Sequence, residues 1–290
     1  MKKFFSNFPL ILAPIIIFAF FLPSLISGKI PIPADSILSL YHPFRDISID
    51  GFSPGRFPAK NPLITDPVLQ TSPWRKLVVE AFKNKEMPLW NPYSFSGQPL
   101  LANLQSAPFS ITNLLFFIFP FKAAWSVQII LPQVLAGLFM YLFLKEINLS
   151  KTASVFGAAI LPFSGFFIAW LEWGTIIQTA MWLPLILYLI LRFSKKISAP
   201  VFALLALSFS QVIFSGHLQT ALYVLLTALA FLIYMYAKEK NLPLDGEYYT
   251  NKQILSMLEE KFSEYSEFQK KLKTMREQRT KKGQRSLFEF

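Results

Sequence analysis

The chain has 290 residues, of which 53% are hydrophobic, only 16% are charged and none is cysteine. A soluble domain has about 25% charged residues, so this chain lacks the charge needed to cover a globular surface. The absence of cysteine excludes disulfide scaffolds, thiol nucleophiles and cysteine-based zinc sites. The net charge of +11 is compatible with nucleic-acid binding until the positions of the charges are considered.

The apolar residues are concentrated in five stretches without any charge: 4–28, 123–144, 152–171, 173–191 and 197–237. Each reaches roughly the 18 residues that mark a membrane-spanning candidate. The last would form one helix about 62 Å long, so we expect it to fold back at Ser215-Gly216-His217. The sequence therefore predicts an all-α integral membrane protein with about six spans, near 8–26, 124–144, 152–171, 174–191, 199–214 and 217–236.

Lysine and arginine in the short connections predict the orientation. They all fall on one side of the predicted spans: Lys2, Lys3, Lys145, Lys151, Arg192, Lys195, Lys196, Lys238 and Lys240. We therefore expect both termini to be cytoplasmic in a multi-pass membrane protein. The positive charges form no concentrated basic face, so nucleic acid is not an expected partner. We expect the first span to be an uncleaved anchor; a cleaved signal peptide is the alternative.

This pattern divides the chain into a first span (1–27), an exported loop (28–122), a helical membrane domain with five spans (123–236) and a basic cytoplasmic tail (237–290). In the tail, apolar residues at helical spacing predict one or two amphipathic helices: Ile254, Leu258, Phe262, Tyr265, Phe268 and Leu272. Such a tail binds anionic lipid, contacts a partner or has no role.

The clearest predicted element of the exported loop is an amphipathic helix from Pro73 to Glu86, capped by Ser72. Its aromatic and aliphatic residues share one face, and Arg75 and the lysines lie mostly off that face. A basic amphipathic helix of this kind is typical of a segment lying on the bilayer surface. A helix packed against neighbouring loops is the alternative.

Asp35 follows the first span by a few residues, in Pro33-Ala34-Asp35-Ser36. A carboxylate at this depth can reach a reaction centre at the membrane surface as a general base or as a metal ligand. The alternative is an aspartate that caps a short helix starting at Ser36.

Several motifs follow one another in a distinctive order: Tyr41-His42-Pro43-Phe44-Arg45, Asp66-Pro67, Pro73-Trp74-Arg75, Pro88-Leu89-Trp90-Asn91-Pro92-Tyr93, Phe163-Ser164-Gly165, Trp182-Leu183-Pro184-Leu185 and Gly216-His217-Leu218-Gln219. Over about residues 30–236 this order resembles the bacterial YfhO-type membrane protein family. Members of that family look like GT-C-type glycosyltransferases, which transfer a sugar from a polyprenyl-phosphate carrier to an acceptor outside the membrane.

The resemblance implies a catalytic role for Asp35 and places the predicted helix 73–86 beside the lipid-carrier groove. Arg45 or Arg75 would neutralise the carrier phosphate, since guanidinium binds phosphate with two hydrogen bonds; the alternative is snorkelling to lipid headgroups. The other substrate-binding candidates are Asp66, Trp90, Asn91, Gln105, Glu172 and His217. Each has a structural alternative as a turn, loop or helix-end residue.

No cofactor motif is visible, and a divalent cation held by Asp35 and a second acid such as Asp66 is the one metal site considered. Gln178 and Gln211 are expected to form interhelical hydrogen bonds. The expected partners are membrane lipid, a polyprenyl-phosphate sugar and a cell-envelope glycan acceptor.

Family members usually carry many more spans, so the chain is expected to correspond to an N-terminal part. A non-catalytic scaffold, a flippase partner or an inactive truncated fragment is the alternative function. A transporter is less favoured, because the interiors of the spans are nearly uncharged.

Overall fold

The computed structural model describes residues 14–23 and 25–239, together with residues 256, 259–260, 263–267, 269–271 and 273–274. The predicted start of the first span near residue 8 lies outside these residues. So do five residues of the predicted tail stripe: Ile254, Leu258, Phe262, Phe268 and Leu272. The chain divides into two compact units, Met1–Ile233 and Tyr234–Phe290.

The structure is 68% helical, as the long uncharged stretches predict. Within the described residues, four helical segments are long and apolar enough to cross a membrane: Phe121–Glu146, Lys151–Ala169, Ile176–Lys195 and Leu218–Glu239. Two further apolar helices, Pro14–Pro23 and Ala199–Phe214, are shorter. Four of the six predicted spans therefore correspond to helical segments that are long and apolar enough to cross a membrane. The 16 residues of Ala199–Phe214 extend about 24 Å, less than the hydrocarbon thickness of about 30 Å.

The helices of the membrane domain are α1 (Pro14–Pro23), α5 (Phe121–Glu146), α6 (Lys151–Ile160), α7 (Gly165–Ala169), α8 (Ile176–Ala180), α9 (Trp182–Lys195), α10 (Ala199–Phe214) and α11 (Leu218–Glu239). Proline explains the break between α6 and α7. Pro162 has no N–H to donate to the carbonyl of Ala158, and Ser164 then caps α7 by accepting from the Phe167 N–H. At this break α5 approaches closely, since a Cβ on Gly137 would lie 2.9 Å from the Ala158 oxygen.

The main core lies between α5, α9, α10 and α11, with Ile186 and Val212 completely buried. The Trp182 ring packs on Phe139 of α5 at 6.1 Å between centroids. Lipid tails are as apolar as these side chains, so close packing rather than the hydrophobic effect holds such helices together.

The loop 28–122 is structured, as its length and composition predict. It contains α2 (Asp35–Leu40), a 3-10 turn (Phe44–Asp46), a π-helical turn (Pro67–Thr71), α3 (Ser72–Lys83), a second 3-10 turn (Ile111–Leu114) and α4 (Leu115–Ile118). The one departure from an all-α fold within the described residues is a small antiparallel hairpin of β1 (Trp90–Asn91) and β2 (Gln98–Pro99).

The loop packs against one end of the membrane helices, which we call the loop end. The Trp125 indole near the start of α5 donates to the Pro31 carbonyl at 3.2 Å. The turn between α10 and α11 touches the same loop, because a Cβ on Gly216 would lie 2.7 Å from the Leu104 oxygen.

At the opposite end, Glu146 of α5 forms ion pairs with Lys195 at 2.7 Å and with Arg192 at 3.7 Å, both from α9. Arg192 and Lys195 therefore lie at the end of the helices that is away from the loop 28–122. This segregation agrees with the expected orientation, which remains a prediction.

In the C-terminal unit, the described residues between 256 and 274 are helical, and the Thr274 hydroxyl donates to the Lys270 carbonyl at 3.0 Å. Tyr265 is the described member of the predicted apolar stripe, and its side chain is exposed.

Candidate functional site

Asp35 is the first residue of α2, and its side chain is half-buried. Its Oδ2 accepts a hydrogen bond from the backbone N–H of Lys60 at 2.8 Å. One turn further along α2, the Ser39 hydroxyl shares its proton between the Asp35 carbonyl at 2.7 Å and the Phe57 carbonyl at 2.8 Å. The bonds that Lys60 and Phe57 make hold the segment 57–60 beside α2. The predicted capping alternative is therefore not the observed contact, since the Asp35 side chain accepts from a distant residue.

Glu172 lies in the 3-10 turn Leu171–Trp173, which follows α7 at the loop end. Burial raises the pKa of the Glu172 carboxyl, the negative charge of Asp35 raises it further, and the positive charge of Lys60 opposes both. Glu172 and Asp35 therefore lie close enough for their charges to interact, although they are far apart in the sequence.

Asp66 contacts the same 3-10 turn, Leu171–Trp173, through Trp173. It precedes the π-helical turn, and its Oδ2 accepts from the indole N–H of Trp173 at 3.4 Å. Trp173 in turn packs edge-on against Trp170 at 4.8 Å. Asp35, Lys60 and Glu172 thus lie near one another, and we call these three residues the carboxylate site. Asp66 is joined to the same turn through Trp173.

The predicted divalent-cation site can be compared with the residues around Asp35. Within the part of the chain that the structure describes, no three histidine, aspartate or glutamate side chains are placed to hold a metal ion. A cation at Asp35 would therefore take most of its ligands from substrate or water, as Mg²⁺ commonly does.

Arg75 does not join this site. The expectation that it lies off the apolar face of its helix, at the membrane surface or on a carrier phosphate, is wrong, because only 3% of Arg75 is exposed. Its guanidinium donates to the Ala107 carbonyl at 2.9 Å and to the Asn113 side-chain oxygen. Burial lowers the pKa of Arg75 to about 9, so the group is still a cation at neutral pH.

The Asn113 amide completes this contact by donating to the carbonyls of Ala107 and Pro108, each at 2.8 Å. We call Arg75, Ala107, Pro108 and Asn113 the arginine hub. The hub fixes the loop segment that contacts Gly216, where φ is +95° and a larger residue would collide with the Ala107 Cβ at 2.9 Å. Glycine is required at this turn both for its conformation and for its size.

His217 lies next to this contact, and its side chain is half-buried. The backbone N–H of Thr220 donates to its Nδ1 at 3.2 Å, so His217 caps the start of α11. Because Nδ1 is the acceptor, we place the ring proton on Nε2. Burial lowers the pKa of His217, so the imidazole is neutral at pH 7.

The remaining candidates lie apart from the carboxylate site or are committed to local structure. Arg45 is exposed on the 3-10 turn after α2. Trp90 and Asn91 form β1; Trp90 is exposed, whereas Asn91 is buried and its amide oxygen accepts from the Tyr93 N–H at 2.9 Å. Gln105 is exposed, and its backbone lies against Gly216.

The expectation that Gln178 and Gln211 bond to other helices is wrong, because both bind the loop. Gln178 accepts from the Thr112 hydroxyl at 3.2 Å. Gln211 accepts from the Ile111 N–H at 2.8 Å, and its amide donates to the Phe109 carbonyl at 3.3 Å. The Gln128 amide of α5 also donates to the Thr112 hydroxyl, at 3.1 Å.

Sequence reasoning did not identify Lys60, Thr112 or Asn113. Apart from its charge, no feature of the sequence indicated that Lys60 belongs to the site. Thr112 and Asn113 follow Ser110 in an otherwise apolar run just before a span, and polar residues in such a place need hydrogen-bond partners when they are buried.

An apolar cavity of about 330 Å³ lies among α5, α7, α9 and α11. It is lined by Met140, Ser164, Phe166, Phe167, Thr220 and Tyr223, among others. Thr220 connects the cavity to the capping histidine, since its hydroxyl lies 2.8 Å from the His217 Nδ1. From Phe167, five residues of helix and 3-10 turn rise about 8–10 Å to Glu172.

Comparison of the chain with family models, with curated proteins and with solved structures returns no match, so its function has to be inferred from the site itself.

Proposed function

We propose that this membrane-spanning protein is a glycosyltransferase that moves a sugar from a polyprenyl-phosphate carrier to an acceptor hydroxyl at the loop end, with Asp35 as the general base. The observation that carries the proposal is that Asp35 and Glu172 lie close enough for their charges to interact, at the loop end of the membrane helices. The YfhO-type resemblance supports the same reading. With the expected orientation, the loop end faces the outside of a bacterial plasma membrane and the acceptor is a cell-envelope glycan.

The two carboxyls suit different tasks. Glu172 keeps a proton more readily because burial and the neighbouring Asp35 raise its pKa, so it is suited to donating a hydrogen bond to substrate. Asp35 would take the proton from the acceptor hydroxyl. The acceptor oxygen then bonds to the anomeric carbon, the bond from that carbon to the phosphate oxygen breaks, and its electrons leave with the polyprenyl phosphate.

A leaving phosphate needs a nearby cation. Lys60 is the best placed, because its side chain is exposed and its charge already acts on Glu172. Arg45 is a second exposed cation beside α2. The buried Arg75 is excluded from this role because its guanidinium is committed to the arginine hub.

The donor is expected to be lipid-linked because the reaction centre lies at the membrane. The apolar cavity below Glu172 suits part of a hydrocarbon chain, whose headgroup would then rise towards the carboxylate site. The His217 Nε2–H lies at the same end of the membrane helices and is suited to donating to an oxygen of that headgroup.

Replacing Asp35 by asparagine tests the proposal. The asparagine side chain can still accept from the Lys60 N–H but has no negative charge, so D35N separates catalysis from loop structure. We expect transfer from synthetic polyprenyl-phosphate hexoses, measured with the protein in nanodiscs, to fall about 100- to 10,000-fold. The melting temperature should stay at the wild-type value.

The matched control is D50N, which removes an exposed carboxylate from the same loop at a position with φ of +48° that asparagine tolerates. D50N should keep full transfer activity. Undiminished transfer by D35N would show that Asp35 is not the base.

A non-catalytic scaffold is the second candidate, and the bond from the Lys60 N–H to Asp35 favours it, because it gives this carboxylate a structural task. A scaffold predicts that D35A, which loses the bond, lowers the melting temperature. It also predicts that no polyprenyl-phosphate hexose is consumed by the wild-type protein.

A further inference from the structure

The hairpin of β1 and β2 displays aromatic side chains to its surroundings. Phe95 is 94% exposed and Tyr93 is 81% exposed, and Trp90 at the base is 57% exposed. Side chains of this size are seldom left uncovered next to one another on a surface that faces only water.

The exposure is imposed by a well-held turn. Buried Asn91 accepts from the Tyr93 N–H at 2.9 Å and donates to the Ser94 hydroxyl at 3.2 Å. Phe95 and Ser96 both have positive φ, +52° and +63°, which is uncommon for residues other than glycine. The turn therefore directs Phe95 outwards at a cost in backbone energy.

The base of the hairpin adjoins the lipid-facing surface of the membrane helices. Leu100, just after β2, is buried, and its carbonyl accepts from the Ser106 hydroxyl at 2.7 Å. A few residues on, the Phe109 ring packs on Phe214, the last residue of α10, at 5.5 Å between centroids. Phe109 also lies 6.5 Å from Phe82 of α3.

Apolar residues of α10 are exposed around much of the helix and would face lipid: Phe202, Leu204, Leu207, Ile213 and Phe214. An apolar pocket lined by Leu101, Ala102, Leu104, Phe109 and Phe214, among others, joins the segment after β2 to the end of α10. Because α10 is short for the hydrocarbon core, lipid beside it lies close to these loop residues.

The charges near the hairpin suit a membrane surface better than a sugar. Lys83, Lys85 and Glu86 are exposed at and just after the end of α3, so two cations outnumber one acid there, and such cations attract anionic lipid headgroups. The amide of Asn91, which would be needed for a sugar hydroxyl, is occupied within the turn.

We propose that the hairpin 90–99 inserts into the lipid leaflet at the loop end, with Phe95 and Tyr93 in the interfacial region and Lys83 and Lys85 on anionic headgroups. Aromatic residues are favoured at this depth. The exported loop is then attached to the bilayer at a point separate from the spans. This proposal does not depend on the proposed sugar transfer.

A depth measurement tests the proposal. The chain has no cysteine, so F95C carries a single nitroxide label, and a residue as exposed as Phe95 can be replaced without loss of folding. The protein is reconstituted in nanodiscs of phosphatidylcholine with and without phosphatidylglycerol. We expect the label to collide several-fold less with a water-soluble nickel chelate, and more with oxygen, than the label on S53C, an exposed polar position of the same loop.

Equal nickel accessibility of the two labels would overturn the insertion. So would protection of F95C that arises only when an oligosaccharide or a protein is added, since that would assign the tip to such a partner. In the F95C background, K83Q/K85Q should bring the label closer to water in discs with phosphatidylglycerol and leave it unchanged without that lipid. No difference between the lipids would overturn the role of the two lysines.

Discussion

Asp35 and Arg75 lie in the same loop, residues 28–122, but Arg75 is buried whereas Asp35 is only half-buried. Arg75 is buried, and its guanidinium binds two oxygens of the segment 107–113. Asp35 is half-buried, accepts one backbone hydrogen bond and lies beside another acid. The two hydrogen bonds of the Arg75 guanidinium hold the loop in place, while its buried Nε has no partner among the described residues. A charge that keeps free lone pairs beside a like charge is available for chemistry.

The largest expected effect on stability comes from removing the buried cation. R75M has similar length but cannot bond to the Ala107 carbonyl or the Asn113 side chain. Hydrogen bonds from a charged group are worth about 1.5–3 kcal/mol each, so we expect a loss of roughly 3 kcal/mol, measured by thermal unfolding in nanodiscs.

The matched control for R75M is R45Q, at an exposed arginine of the same loop, which should leave stability unchanged. A stable R75M that no longer binds a polyprenyl-phosphate lipid would break the comparison, since Arg75 would then serve substrate rather than structure.

A smaller loss of stability is expected when Gly216 is replaced, in the turn that the arginine hub contacts. G216A places a Cβ against the Leu104 oxygen and the Ala107 Cβ at φ of +95°, and such backbone strain costs about 1–3 kcal/mol. G55A is the matched control, because Gly55 has φ of +70° with nothing within 4 Å. The melting temperature should fall more for G216A than for G55A. Equal losses would mean that the loop does not press on this turn.

The smallest expected change in stability comes from replacing Glu172 of the carboxylate site, and this change depends on pH. The folded protein holds the Glu172 proton more tightly than the unfolded chain, because burial and Asp35 raise its pKa above 4.5. This contribution to stability is present below pH 4.5 and is lost as the pH rises through the raised pKa. E172Q should therefore be more stable than wild type at neutral pH, with the difference shrinking in acid.

E86Q, which changes an exposed acid of the same loop, should not show this trend in melting temperature with pH. If E172Q were less stable than wild type at neutral pH, the Glu172 charge would be held by a favourable contact, and the contrast with Arg75 would disappear.

The sequence predicts the helices and spans that depend only on residues close together in the chain. A run of apolar residues long enough for a bilayer predicts a span whatever its neighbours, and four of the six predicted spans correspond to helices long and apolar enough to cross a membrane. The helix at Ser72–Lys83 followed from its proline and its amphipathic pattern. The burial of Arg75 could not be predicted in this way, because its partners are a carbonyl oxygen 32 residues away and an amide oxygen 38 residues away.

The candidate site was only partly predictable for the same reason. The position of Asp35 just after the first span predicted it as a site residue. Its approach to Glu172 could not be predicted, because it depends on how the turn after α7 packs against the loop. Lys60 reaches the site because its backbone is held by Asp35, and no residue pattern around Lys60 predicts this contact. Polar side chains such as Gln211 were recognised as bonding groups, but not the loop to which they bond.

The hydrogen bonds between Gln211 and the loop have a consequence for biogenesis. The Ile111 N–H bonds to a partner that lies 100 residues later in the chain, and at roughly 5–20 residues per second a ribosome needs about 5–20 s to make that interval. During this time the Ile111 N–H of the loop lacks its final acceptor. The loop 28–122 therefore reaches its native contacts only after α10 has been synthesised, so an early segment of the chain is among the last to mature.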